Sequence, residues 1–458
     1  MAEHQISLGS TLEALLEDKK YSTIKDILIT INPADIAAIF EDLQQEQLPL
    51  LFRLLPKELA AETFVEMDSD SQKLLIHGFS DSELREVLDE LYVDDAVDLV
   101  EEMPANVVKR ILAQTNPEMR KEINEILRYP ENSAGSIMTA EFIDLKKYMS
   151  VKESLARIRR IGEDKETIYV CFVISADRKL EGIVTVKDLL LADDDTIIED
   201  LMDRNVIFAS TTEDQESVSE KFSDYDLMAL PVVDKEGRLV GIVTVDDIID
   251  VMEQETTEDF EIMAAMTPSD KPYSRTGAID MWKNRVPWLL FLMLSATFTT
   301  MILNSFEDAL AVQAVLIGFI PIIMGTGGNS GAQSSTAIIR SLSLGDTEPE
   351  DALKVIWKEW RVALLCGLTL AAVNFVKMLL VDNLLLGNPD VDYTIALIVS
   401  LAIVFTVMFA KVVGSFLPML AEKIGLDPAV VATPLITTIS DAVSLLIYLE
   451  IAKVFLHI

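Results

Sequence analysis

Gly182-Ile183-Val184-Thr185-Val186-Lys187-Asp188-Leu189-Leu190 returns 59 residues later as Gly241-Ile242-Val243-Thr244-Val245-Asp246-Asp247-Ile248-Ile249. Further upstream, Ile137-Met138-Thr139 is echoed by Leu201-Met202-Asp203. The β-branched runs 168–174 and 230–233 read as strands, with helical stretches between them. Residues 131–253 are therefore expected to form a tandem α/β repeat.

That duplication, with its Gly-Ile-Val-Thr-Val-x-Asp phrase, resembles a pair of CBS domains. CBS pairs often bind adenine nucleotides, so the resemblance makes an adenine nucleotide a candidate ligand. Lys187 and Asp188 lie in the stretch that would face ribose and phosphate, whereas Val170 stands where an aromatic would stack on the base. A purely structural or ion-sensing pair is the alternative.

Outward from the repeat, residues 1–130 show short helical periods that open on Pro, Ser or Asp, at Asn32-Pro33, Leu55-Pro56, Ser80-Asp81 and Met103-Pro104. Tandem short helices predict an all-α superhelical stack of helical hairpins. After the repeat, residues 246–265 continue as one acidic helix, ended by the turn-forming Thr267-Pro268-Ser269-Asp270-Lys271-Pro272. Its position between a sensor-like pair and the apolar half favours a mechanical connector over a solvated linker.

The 458 residues carry 75 Asp+Glu against 38 Lys+Arg, a net charge of -37, yet half of them are hydrophobic. Charge and apolar surface must be segregated. Residues 284–458 hold 14 acids and 9 bases, so residues 1–283 hold 61 and 29, a net of -32. Such acidity argues against nucleic-acid binding, which needs bases to neutralise phosphates. Two cysteines, Cys171 and Cys366, exclude a disulfide framework and a Cys-based zinc site. His4, His77 and His457 are too scattered for a metal cluster. The start MAEHQISLGS has no basic n-region followed by an apolar stretch, so no signal peptide is expected and the acidic half belongs in the cytosol.

Within 280–458, five stretches are long and apolar enough to cross a bilayer: 286–303, 311–339, 362–381, 393–419 and 429–455. Lys283 and Arg285 precede the first, Arg340, Lys354, Lys358 and Arg361 follow the second, and Lys423 follows the fourth. The intervening loops 304–310 and 382–392 have no base, which places the N-terminus inside and the C-terminus outside. Lys377 and Lys411 are expected to snorkel from span ends.

Asp441, about twelve residues into the fifth span, is the most informative residue. A carboxylate at that depth is costly unless it faces water, an ion or a partner. Pro434, Thr437, Thr438, Ser444 and Tyr448 share its helix face at three- or four-residue spacing. In the second span, Gly325, Gly327, Gly328 and Gly331 allow close helix approach and an unwound turn, where exposed carbonyls with Asn329 and Gln333 would supply neutral oxygens. A carboxylate with hydroxyls and carbonyls suits Mg²⁺ or Ca²⁺ better than Cu or Zn. One Asp per chain is thin for a divalent ion, and a symmetric dimer would bring two to one axis.

The whole chain resembles the MgtE family of magnesium channels. The specific phrases are Gly327-Gly328-Asn329 with Gln333, Gly425-Leu426-Asp427-Pro428 and Ser440-Asp441, together with the order of helical domain, CBS pair, connecting plug helix and five spans. The resemblance implies a multi-pass homodimer in the cell membrane, in contact with lipid, with a central pore. Asp441 and Asn329 would lie on the pore, and Asp427 at its cytosolic end. Regulatory Mg²⁺ would be held by Glu62, Asp94 and Asp98 of the helical domain, by Asp214, Glu216, Asp226, Asp247 and Asp250 of the pair, and by Glu255, Glu258 and Asp259 of the plug. At low cytosolic Mg²⁺ these acids would repel and open the pore. A proton-coupled divalent-cation transporter with Asp441 as relay, and a nucleotide-sensing receptor without flux, are the alternatives. No P-loop, nucleophile elbow or His–acid constellation is present, so an enzyme is not expected.

Overall fold

The computed structural model describes residues 2–41, 43–269, 273, 276–431 and 433–457. Residues 270–272 of the expected turn lie outside them. The chain separates into two compact units, Met1–Met252 and Glu253–Ile458.

Among its described residues the first unit begins with ten helices: α1 (Ala2–Glu17), α2 (Tyr21–Leu28), α3 (Pro33–Glu41), α4 (Leu48–Phe52), α5 (Lys57–Val65), α6 (Ser69–Gly78), α7 (Asp81–Leu88), α8 (Val93–Glu102), α9 (Ala105–Gln114) and α10 (Pro117–Ile126). Local chemistry sets their starts. Ser80 and Glu83 close a reciprocal capping box on α7, Asp68 caps α6, and Asn116 caps α10 ahead of Pro117 at its first position. Alternate helices pack on one another, α1 on α3, α3 on α5, α5 on α7 and α7 on α9, with α4 on α6 and α8 on α10. This is a superhelical stack. Its core includes Ile24, Leu51, Phe64, Leu75 and Leu84, all fully buried.

The repeat follows: β1 (Ile143–Leu145), α11 (Val151–Ile161), β2 (Val170–Ile174), β3 (Leu180–Thr185), α12 (Val186–Leu191), α13 (Ile198–Leu201), β4 (Ala209–Ser210), α14 (Gln215–Tyr225), β5 (Ala229–Val233), β6 (Leu239–Thr244) and α15 (Val245–Met263). Each half is a three-stranded sheet with one parallel and one antiparallel pairing, β1-β2-β3 and β4-β5-β6. The two registers are copies: Val170 pairs with Thr185 and Ala229 with Thr244, and the same irregularity recurs at Val173/Ile174 and Val232/Val233.

The echoed upstream phrases cross between the halves. Thr139 exchanges both backbone hydrogen bonds with Ile242 of the second sheet (2.8 and 2.9 Å), and Asp203 does so with Ile183 of the first (2.9 Å each). A Cβ on Gly241 would lie 2.8 Å from the Thr139 carbonyl oxygen, and one on Gly182 2.8 Å from that of Asp203. The glycine that opens each repeated phrase is thus required by the crossing backbone.

Among the described residues of the second unit, five helical stretches are long and apolar enough to span a membrane, at 278–305, 314–343, 349–385, 393–423 and 428–456. Their helices are α16 (Ala278–Ser295), α17 (Thr297–Ser305), α18 (Glu307–Val312), α19 (Ile320–Ser343), α20 (Ala352–Lys377), α21 (Tyr393–Lys423) and α22 (Thr433–Leu456). Helix α21 is central and packs on α19, α20 and α22. In contrast, α16 and α17 bury no residue and present Leu290, Phe291, Leu294 and Phe298 outward, as a lipid-facing helix does.

Two expectations are corrected here. The glycine-rich stretch does not unwind: α19 is continuously α-helical from Ile320 to Ser343, so its carbonyls stay in the helix ladder and are not freed as ligands. Its glycines serve contact instead. A Cβ on Gly327 would meet the Ser444 Oγ at 2.4 Å, and one on Gly331 would meet Ile436 at 2.8 Å. Nor does Lys411 snorkel. It lies well inside α21, is 5% exposed, and faces Glu359 of α20.

Candidate cation sites

Helix α8 begins at Val93 with Asp94 and Asp95 in its first turn, and so points an acidic N-terminus at the repeat. Glu141 and Glu166 are brought together by the Glu166 amide donating to the Glu141 carbonyl at 3.0 Å. One carboxylate oxygen each from Asp94, Glu141 and Glu166 lies within 4.8 Å of the other two. Asp94 Oδ1, Glu141 Oε2 and Glu166 Oε2 are cut off from solvent and have no hydrogen-bond partner among the described residues.

Burial and mutual repulsion push these acids toward the protonated form. Glu166 is pushed up to about 8 by burial, then by Asp247, Asp246, Asp95 and Glu141. Glu141 is pushed up to about 7 by burial, although Lys165 and the Val93 amide pull it down. Asp94 is raised well above the usual carboxylate range by burial and then by Asp247. Asp95 and Asp247 both rise to about 6, chiefly through burial. Three orphaned carboxylate oxygens and adjacent acids form a hard oxygen donor set that fits a divalent cation.

Asp247 is also a cap: the Thr244 hydroxyl donates to its Oδ2 at 2.6 Å, as Thr185 does to Asp188 at 2.5 Å in the first repeat. Asp98, one turn beyond Asp94, belongs with these acids, pushed up to about 7 by burial and then by Asp247 and Asp95, whereas the other regulatory candidates of this unit are exposed and dispersed. Glu62 lies on α5. Asp214 caps the start of α14, accepting from the Glu216 amide at 3.0 Å, and Asp226 ends the same helix at φ 51°. The 11 residues of α14 separate Asp214 and Glu216 from Asp226 by about 16 Å, so one chain cannot bring them to a single ion. Asp250 is exposed on α15.

In the second unit, the final part of α15 carries Glu255, Glu258 and Asp259. Asp259 is raised to about 6 by burial, then by Asp427, Glu255 and Glu258, with Arg340 opposing. Asp427 accepts from the Ala429 amide at 2.7 Å and so caps the turn that leads into α22. Ile262 and Met263 pack on Ile339 and Ala429. The acidic face of α15 is thereby held beside the ends of α19 and α22.

Deeper in the bundle, Gly328 of α19 approaches Asp441 of α22. A Cβ there would lie 3.6 Å from Asp441 Oδ1 and 3.3 Å from Thr437. Thr437 and Thr438 each donate to the Pro434 carbonyl at 2.9 Å. The next residue, Asn329, opens one face of α19 that lines an open groove of about 750 Å³ with Ala332, Gln333, Thr336, Ala337 and Arg340. Ser444 and Tyr448 do not share an open face with Asp441; both are fully buried, and the Tyr448 hydroxyl donates to the Leu316 carbonyl at 3.0 Å.

Comparison with known proteins gives these sites a context. The family model described as MgtE divalent cation transporter matches residues 320–451, that of the MgtE intracellular N domain matches 31–132, and that of the CBS domain matches 134–195 and 198–254. The magnesium transporter MgtE of Thermus thermophilus is 38% identical over 455 residues, covering 98% of this chain and 99% of the relative. The chain belongs to the MgtE family of magnesium transporters. A second member, from Bacillus subtilis, is 30% identical over 97% of this chain and 96% of its own. Among solved structures, the cytosolic domain of the Mg²⁺ channel MgtE in complex with ATP matches 53% of this chain and 99% of its own, with a TM-score of 0.51 and 36% identity. The soluble part of a magnesium transporter matches 56% of this chain with the same TM-score and 30% identity. Like its MgtE relatives, the chain is a membrane transporter with an intracellular N domain, and not an enzyme.

Sequence reasoning missed several residues that the fold brings into play. Glu141 and Glu166 precede strands and have no motif, so only their pairing reveals them. Glu359 was hidden among the bases of a loop. Tyr169, one residue before Val170, is an exposed aromatic just ahead of β2, 66% exposed.

Proposed function

We propose that this MgtE member is a dimeric, Mg²⁺-gated Mg²⁺ channel, with its N-terminus in the cytosol and its C-terminus outside. The carrying observation is the trio Asp94, Glu141 and Glu166, whose buried oxygens are mutually repulsive and unpartnered among the described residues. A divalent ion there relieves repulsion that protons otherwise relieve. Occupied, the helical stack and the repeat are drawn together. Empty, they repel under a net charge of -32 over residues 1–283. The change reaches the membrane helices through α15, which is continuous from Val245 to Met263. Its acids Glu255, Glu258 and Asp259, with Asp427, form a second regulatory cluster. Asp98 joins the first cluster through Asp247 and Asp95, and Glu62, Asp214, Glu216, Asp226 and Asp250 are further ligands proposed on the surface of this unit.

Mg²⁺ travels along the groove face of α19, past Asn329, and is held with its water shell by Asp441 of each copy. Mg²⁺ sheds water reluctantly, so a few protein oxygens around a hydrated ion suffice. An adenine nucleotide is proposed for the repeat, with Tyr169 stacking on the base; the ATP complex of a relative's cytosolic domain supports this. The test of gating is solution scattering on residues 1–264 with and without millimolar Mg²⁺. Compaction is expected. An unchanged radius would refute the sensor.

A further inference from the structure

One ion pair in the membrane helices is not used by this mechanism. Lys411 of α21 donates to the Ser334 Oγ of α19 at 3.2 Å, and its Nζ lies 3.9 Å from Glu359 Oε2 of α20. Ser334 in turn donates to Glu359 Oε2 at 2.6 Å. The Lys411 and Glu359 side chains are only 7% and 14% exposed, and Ser334 is 1% exposed. Three helices therefore each give one member to a buried charged knot.

Its position matters more than its presence. Ser334 directly follows Gln333, which lines the groove, but the helical turn of about 100° per residue carries it off the groove face toward α20 and α21. The knot thus sits behind the groove at about one helix diameter, about 10 Å. A buried pair seldom adds net stability over apolar packing, so stability does not account for it. A lone ammonium there would repel a divalent ion in the groove, and a lone carboxylate would attract one.

We propose that Lys411 and Glu359 are specificity-determining residues that set the electrostatic field of the cation path from behind α19, with Glu359 cancelling the Lys411 charge. The inference rests on the proposed path along α19. An uncompensated unit charge about 10 Å from a doubly charged ion, in a groove open to water, shifts its occupancy by roughly tenfold.

The test is Mg²⁺ flux by the full-length protein in proteoliposomes, read as the half-saturating Mg²⁺ concentration. Glu359→Gln combined with Lys411→Arg, whose guanidinium keeps its charge, is expected to raise half-saturation roughly tenfold. Lys411→Met, which leaves Glu359 alone, is expected to lower it by a similar factor. Glu359→Gln with Lys411→Met, and the reversed pair Glu359→Lys with Lys411→Glu, are expected to return it to within about threefold of the parent. Opposite shifts are what a packing role cannot produce. Loss in every variant in the same direction, or unchanged half-saturation throughout, overturns the inference. If a singly charged variant fails to fold, the reversed pair still decides, because a large shift there refutes cancellation. Asp441→Asn in the same assay separates the two readings. Normal flux in that variant refutes the path, whereas lost flux with no shifts at 359 and 411 refutes only this inference.

Discussion

Gly414 of α21 lies against Gly331 of α19 so closely that a Cβ on Gly414 would stand 2.3 Å from the Gly331 carbonyl oxygen. No side-chain rotation relieves a clash with backbone. Gly414→Ala must therefore push α19 away from α21, and with it the contact of Gly328 with Asp441. The expected cost is about 1–3 kcal/mol, with transport falling more than tenfold while Gly318→Ala, where nothing lies near the added carbon, remains active. Thermal unfolding in detergent and Mg²⁺ uptake check both parts.

Asp441→Ala removes the carboxylate assigned to the hydrated ion. Uptake is expected to be almost abolished, with folding retained, because Asp441 is half-buried and makes no ion pair among the described residues. Growth of a magnesium-requiring strain without added Mg²⁺ is the readout. Normal growth would remove Asp441 from the path.

The acids between the helical stack and the repeat make stability fall as pH rises. Glu166 is raised in the folded state to about 8 and Glu141 to about 7, so the fold binds protons that the unfolded chain releases near its ordinary values. Their stabilising contribution is full below about pH 4.5 and is lost as pH climbs through about 8. Residues 1–264 without divalent ions are expected to lose on the order of 1–3 kcal/mol over that window, allowing for partial exposure. Millimolar Mg²⁺ should flatten the slope by replacing the protons. Urea titrations across pH, with and without Mg²⁺, measure it.

Glu166→Gln removes one charge from the trio while keeping its shape. At pH 8 without Mg²⁺ the variant is expected to be more stable than the parent by about 1 kcal/mol, since repulsion is relieved. It should also need more Mg²⁺ to reach the compact state. A variant less stable in the absence of Mg²⁺ would show that the carboxylate is held by contacts other than an ion.

Tyr169→Ala is expected to weaken ATP binding to the cytosolic region at least tenfold while leaving Mg²⁺ compaction intact, because the ring is exposed just before β2 and supplies no carboxylate to the trio, although Glu166 lies three residues upstream. Calorimetry with ATP, alongside scattering with Mg²⁺, separates the two effects.

Much of the fold is legible in the chain because its signals are local or periodic. The 59-residue offset of Gly182 and Gly241 reappears as identical strand registers, and Ser80 with Glu83 caps the helix that their spacing announces. Five apolar stretches become five membrane-length helices because backbone groups in lipid must be satisfied within each segment. The site was only partly legible. Asp441 stood out because its surroundings in sequence are apolar, and Asp94 and Asp247 came through family resemblance. Glu141 and Glu166 could not be found this way: an acid among many acids carries no signal until another is placed beside it.

The sequence by itself determined the segregation of charge from apolar surface, the duplicated repeat, the five spans and the single deep carboxylate. Each follows from composition, from a local apolar run or from direct self-similarity along the chain. Tertiary structure alone decided that the glycines of α19 serve contact rather than unwinding, that Lys411 is buried against Glu359, and which three carboxylates share one enclosed space. The reason is physical: whether a glycine packs, a lysine reaches water or an acid keeps its proton depends on what other segments place within a few ångströms, and that distance is written in no local pattern.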